Sequence, residues 1–220
     1  MLKKYENLLN LDATIAKELF DGVNYPWEVL PLIKDFILKM GPTLSDEYIL
    51  YKENVWVHKS VKISEKADIN APVIIGEGTE VRPGAFIRGS AIIGKNCVIG
   101  NSTEVKNAII FDNCQCPHYN YVGDAILGDH AHTGAGVILS NVKSDKSNVV
   151  VKDDGEIATG LRKMSAILGD YSDIGCNSVL CPGTIIGAHT NVYPLTMVRG
   201  VIGDCKIVKS MDNIIDKEQR

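Results

Sequence analysis

The sequence predicts an all-β solenoid, a parallel β-helix of hexapeptide repeats preceded by a small helical cap. Two observations carry that prediction. Apolar residues recur every six positions at Val57, Ile63, Ile69, Ile75, Val81, Ile87, Ile93, Ile99, Val105 and Phe111. They recur again at Leu168, Ile174, Leu180, Ile186, Val192 and Val198, with a shorter run at Leu127, Thr133 and Leu139. Glycine follows many of them, as in IIGEG, IIGKN, VIGNS, LGDHA, LGDYS and IIGAH. A period of six suits neither an amphipathic helix nor a lone alternating strand. It suits a triangular coil in which each hexad gives one short strand with its aliphatic side chain inward. Residues 18 apart then stack, and successive coils pair as parallel strands roughly 4.8 Å apart. The glycine is expected to relax the backbone at each corner.

Residues 1–52 read as the helical cap. DATIAKELF sets Ile15, Leu19 and Phe20 at helical spacing, and PWEVLPLIKDFILKMG has the Pro start and Gly stop of a second helix, interrupted by Pro31. Such a cap is expected to cover the end of the solenoid, where strand edges would otherwise be open. The solenoid runs over 53–205. Its spacing slips by one between Phe111 and Val122, just where the histidine-rich PHYNYVGDAILGDHAHTGAG begins. Local irregularity of this kind often accompanies a working site. Residues 140–167 leave the coil as an excursion loop, with VVVKDDGEIA forming a short hairpin that turns at Asp154-Gly155. Residues 206–220 read as a C-terminal tail or helix.

Charge and composition narrow the function. A net charge of −4 and a pI near 5.7 give no basic face for nucleic acid or an anionic membrane surface. No apolar run approaches the roughly 20 residues of a membrane span, and MLKKYENLLN lacks the apolar core of a signal peptide, so a cytoplasmic protein is expected. The six cysteines are scattered, and CQC is too tight for a metal knuckle. Reduced, mostly buried thiols are expected.

Three stretches carry a resemblance. EVRPGA at 80–85, EVKNA at 104–108 and PHYNYVGDAILGDHAHTGAGVILSN at 117–141 resemble, in that order, the acetyltransferase domain of bifunctional bacterial N-acetylglucosamine-1-phosphate uridylyltransferases. GLRKMSAILGDYSDIGCNSVLCPGTIIG is similar to related sugar-nucleotidylyltransferases with the same C-terminal solenoid. The likeness spans roughly 165 of 220 residues. It implies a left-handed coil, acetyl-CoA as co-substrate, no metal, and a homotrimer whose sites lie between subunits. It also implies attack of a sugar 1-phosphate amine on the thioester. His118 then matches the catalytic base, Tyr121 a substrate contact, and Lys106 and Arg82 the groups on the sugar phosphate. Ala135 and Asn141 match positions lining acetyl-CoA.

This chain also departs from the pattern. The family's sugar-contacting asparagine is His132, the tyrosine after the CoA-contacting asparagine is Val142, and Cys176 and Pro194 stand where Ser and Ala are expected. The family's arginine precedes its lysine by one coil of 18 residues, but Arg82 precedes Lys106 by 24, and Arg88 sits at the 18-residue spacing. Both arginines stay candidates. Arg162 and Lys163 on the excursion are candidates for the CoA phosphates. No glycine-rich nucleotide loop precedes the solenoid, so acetyl transfer without nucleotidyl transfer is expected. Two other readings compete: a zinc enzyme of the γ-carbonic anhydrase type using His118, His130 and His132, and a non-catalytic solenoid that binds sugar or nucleotide.

Overall fold

The computed structural model describes residues 8–218, which form a parallel β-solenoid of about nine turns. Each turn has three faces. The first carries Val55–His58, Val73–Ile75, Ala91–Ile93, Ala166–Leu168 and Thr184–Ile186, the second runs from Lys62–Ile63 to Lys206–Ser210, and the third from Asp68–Ile69 to Met197–Val198. Glu104–Ile110 and Tyr121–Leu127 each cross from the third face to the first without a break. The periodic aliphatics point inward: Ile75, Ile93, Ile110, Leu127, Leu168 and Ile186 stack in register on the first face and are buried. Each such side chain contributes about 1.5–3 kcal/mol of burial.

Two features of the repeat differ from the expectation. The slip lies earlier than Phe111. Ile110, not Phe111, stacks on Ile93, and Leu127 stacks on Ile110, so the coils through Asn107 and Asp124 are one residue short at the corner between third and first faces. Phe111 falls outside the inward series and meets the Phe20 ring edge-on at 6.1 Å. The second difference concerns glycine. Gly94 has no left-handed backbone; a Cβ there would lie 2.6 Å from the Phe111 carbonyl carbon, so glycine permits close approach of the next coil. The left-handed conformation falls two residues later, on Asn96, Asn113, His130, Tyr171 and His189, one above another along one edge.

The N-terminal segment is mostly 3-10 turns, with one α-helix at Ile33–Met40, and its last residues join a strand at Tyr48–Lys52. That strand covers the open edge of Val55–His58, while the rest of the segment lies along the first face. The helix packs on the strands of successive coils, and Trp56 lies flat against Gly41. Asp112 N donates to Ala13 O, while Asp170 accepts from Asn10 N, which fastens the segment across coils more than fifty residues apart. The reason is apolar surface. Outward isoleucines stack along the first face, and Ile74, Ile92, Ile109, Ile126 and Ile167 are fully buried.

The C-terminal stretch is not helical. Lys206–Ser210 pairs with Asn213–Asp216 as an antiparallel hairpin that sets Ile207 opposite Ile215 and Val208 opposite Ile214. The excursion does hold a hairpin, Val150–Lys152 with Glu156–Ala158. All six cysteines are free thiols; Cys97, Cys114 and Cys116 are buried, and burial pushes the Cys116 thiol up to about 12. Among the described residues, no helix is long and apolar enough to cross a membrane.

Candidate active site

The short corner between third and first faces gathers a polar cluster around Asp124. Asn107 and Asp124 turn this corner with φ of 47° and 52°, a conformation that Asn and Asp tolerate. The Asp124 side chain is only 6% exposed, so its charge requires partners. Oδ1 accepts from Asn107 Nδ2 at 2.9 Å, Oδ2 accepts from Asn141 Nδ2 at 2.6 Å, and Lys106 Nζ lies 3.6 Å away. Asn141 Nδ2 also donates to the Tyr121 hydroxyl at 3.1 Å. Burial, with Asp124 and Glu104 nearby, raises the Tyr121 phenol above its ordinary value. The Asp124 carbonyl accepts from Ser165 N and Oγ, and Met164 N donates to Asn141 O. One residue therefore pins both ends of the excursion's neck.

Lys106, Tyr121 and Asn141 are among the motif-matched candidates, whereas Asp124, which closes the HYNYVGD element, is not. A buried acid flanked by a left-handed corner has no signature in spacing alone. The two arginines separate. Arg88 follows Ile87, which pairs with Val105, so it lies one coil from Lys106; its guanidinium bonds Glu104 at 2.7 Å. Arg82 bonds Glu80 at 3.2 Å on the opposite edge of the third face.

That opposite edge, between second and third faces, holds the other candidates. His118 ends Gln115–His118 and is exposed; its carbonyl accepts from Gly136 N, and its imidazole has no hydrogen bond among the described residues. His132, one coil on, bonds Asp173 through Nδ1 at 2.8 Å. That bond holds the Asp173 carboxyl below the usual range. Ala135 lies beside exposed Cys176, with Asn177 N donating to its carbonyl. A groove of about 390 Å³ here is lined by His132, Gly134, Asp173, Cys176, Tyr193 and Pro194.

Arg162 and Lys163 are exposed on the returning limb of the excursion. A second groove of about 590 Å³, between the excursion and the coil, is lined by Lys143 and Lys152, paired with Asp145 and Glu156, and by Arg199, none of which the motifs single out. Val142 lines it too. His130 faces a third edge, stacked on Tyr171 at 4.6 Å and paired with Asp129. Within one chain the three histidines of the zinc reading are thus not brought together, and no metal-holding group of His, Cys, Asp or Glu occurs among the described residues.

Known proteins share this arrangement of sequence. Residues 52–157 match the family model described as EIF2B subunit epsilon LbH domain. The bifunctional protein GlmU of Methanococcus maripaludis is 30% identical over 100% of this chain and 54% of its own length. A bifunctional sugar-1-phosphate nucleotidylyltransferase/acetyltransferase of Sulfurisphaera tokodaii is 28% identical over 90% of this chain and 51% of its own. The chain thus spans about half the length of these relatives. The putative uncharacterized acetyltransferase YaiX of Escherichia coli is 30% identical, covering 86% of this chain and 89% of its own length.

Proposed function

Because the chain belongs to the left-handed β-helix, hexapeptide-repeat acetyltransferases, we propose that it transfers an acetyl group from acetyl-CoA to the amine of an amino-sugar 1-phosphate. The cluster around Asp124 is the observation that supports this most. It holds a lysine, a phenol and an amide around one buried carboxylate at a solvent-facing corner. In this reading Lys106 and Arg88, one coil apart, bind the sugar phosphate through charge-assisted hydrogen bonds worth about 1.5–3 kcal/mol each. Tyr121 and Asn141 position the sugar and the thioester, with Asp124 fixing both.

His118 is the base that takes a proton from the attacking amine; neutral imidazole is suited to that at physiological pH. In one chain it stands across the third face from Lys106, so the site is completed when a neighbouring copy brings its own edge alongside. A homotrimer fits this need, and the exposed third-face residues Ile138, Val179 and Met197 supply apolar surface for it. The groove of Lys143, Lys152 and Arg199 receives the CoA phosphates, with Arg162 and Lys163 on the limb above. Ala135 and Cys176 border the pantetheine.

The test is CoA release from acetyl-CoA with a panel of amino-sugar 1-phosphates, using wild type and a folded His118→Ala variant. The expected result is acceptor-dependent release that falls ~10²–10⁴-fold in the variant. Equal, acceptor-independent rates in both would overturn the reading.

A further inference from the structure

The second face presents an outward column in register: Gln115, His132, Asp173, Asn191 and Ile207. Four side chains form a continuous polar chain along it and beyond. His132 Nδ1 bonds Asp173 Oδ1, Asp173 Oδ2 accepts from Asn191 Nδ2 at 3.3 Å, and Asn191 Oδ1 accepts from Lys217 Nζ. Both carboxylate oxygens are therefore engaged. An ionised carboxylate only accepts, so the neutral ring bonded to it carries its proton on Nδ1 and leaves Nε2 as the acceptor. The ring that bears it lines the groove of about 390 Å³ beside Gly134, Cys176, Tyr193 and Pro194. An imidazole oriented by a carboxylate through one nitrogen and open at the other is the arrangement of a positioned proton acceptor. His118, three residues along on the preceding coil, has no such partner among the described residues.

The chemistry of an amine acceptor calls for two such groups. At neutral pH the acceptor is an ammonium, which must lose one proton before it can attack and a second after addition. We propose that His132 takes the first proton, with Asp173 as its positioning residue; this rests on the amine-acceptor reading above. The ammonium gives its proton to His132 Nε2, and the imidazolium formed is paired with Asp173. The freed lone pair attacks the thioester carbonyl carbon, forming the C–N bond. The second proton passes to His118 as the C–S bond breaks and its electron pair leaves on sulfur. The CoA thiolate takes up one of the two protons and the other goes to solvent. The charged and titratable groups around His132 are Asp173, Cys176 and Tyr193 in the groove and Lys217 beyond Asn191, while Gln115 on the preceding coil is neutral.

The experiment is kcat/KM against pH for wild type, His118→Ala, His132→Asn and Asp173→Asn, with an amino-sugar 1-phosphate the wild type uses. At neutral pH, His132→Asn should lose ~10²-fold and Asp173→Asn roughly tenfold. Both should recover to within about threefold of wild type above about pH 9, where an amine sheds its proton to solvent. His118→Ala should not recover. A His132→Asn rate within about twofold of wild type at neutral pH, or a loss that persists at high pH, would overturn the inference while leaving acetyl transfer standing. A wild type inactive on every amine would overturn both readings. Imidazole ¹⁵N shifts need no substrate: His132 should show the Nδ1-protonated form in wild type and lose that preference in Asp173→Asn, and an Nε2-protonated ring in wild type would sink the proposal.

Discussion

The first and third faces are built from the same hexads with the same inward ladder, yet one is sealed and the other is left open. On the first face, the outward residues Ile74, Ile92, Ile109, Ile126 and Ile167 are fully buried beneath the N-terminal segment. On the third, the outward column runs Asp68, Phe86, Glu104, Tyr121, Ile138, Val179 and Met197, and its last three members are 37%, 37% and 48% exposed. The inward residue defines the coil, while the outward residue decides what the coil is for. An isoleucine facing out on five successive coils demands a cover, and the chain supplies its own. The third face mixes charge, phenol and aliphatics, and its two edges carry nearly all the candidate chemistry.

This contrast can be broken from the covered side first. Phe20→Ala removes a buried ring that packs edge-on against Phe111, and should destabilise the fold by about 3–5 kcal/mol in denaturant unfolding. A loss under about 1 kcal/mol would mean that the segment is only loosely attached. Next is the corner that joins the two faces. Asp124→Ala leaves Asn107, Asn141 and Lys106 without their shared acceptor, costing about 1–3 kcal/mol, and should loosen the excursion to proteolysis while reducing turnover. Unchanged cleavage at 142–163 would separate the neck from the cluster.

A smaller, pH-dependent effect belongs to Asp173. Its folded carboxyl lies below the unfolded value of about 3.9, so its contribution to stability is present above that pH and is lost as pH falls through the folded value. The stability gap between wild type and His132→Asn should therefore close in acid, below about pH 4. A gap that widened there would contradict the assignment. The smallest effect is expected on the open face. Met197→Lys should alter monomer stability by no more than about 0.5 kcal/mol. Sedimentation should nevertheless show a shift toward smaller species if copies meet on that face, and an unchanged assembly would place the contact elsewhere.

Much of the solenoid was legible because its determinant is local. An aliphatic residue every six positions needs only the spacing of short strands and corners, and the series from Val57 to Val105 and from Leu168 to Val198 lie inward as read. The hairpin at 150–158 was legible for the same reason: its turn and strands are contiguous. Lys106, Tyr121 and Asn141 were reachable through a matched motif. The meaning of the glycines, the short coil at Asn107 and Asp124, and the strand pairing of the C-terminal residues were not, since each depends on what lies on an adjacent coil or hairpin arm.

The hexad period, and with it the core, is therefore written in the order of residues, because periodic burial is a property of neighbours along the chain. Which residues meet across coils is a matter of the folded chain. His132 and Asp173 are 41 residues apart, as are Asp124 and Ser165, because the excursion breaks the arithmetic of coils. Asp170 reaches Asn10 across 160 residues. No spacing rule joins such pairs. They are set by register across the sheet and by the need to bury one apolar face under the chain's own N-terminal segment.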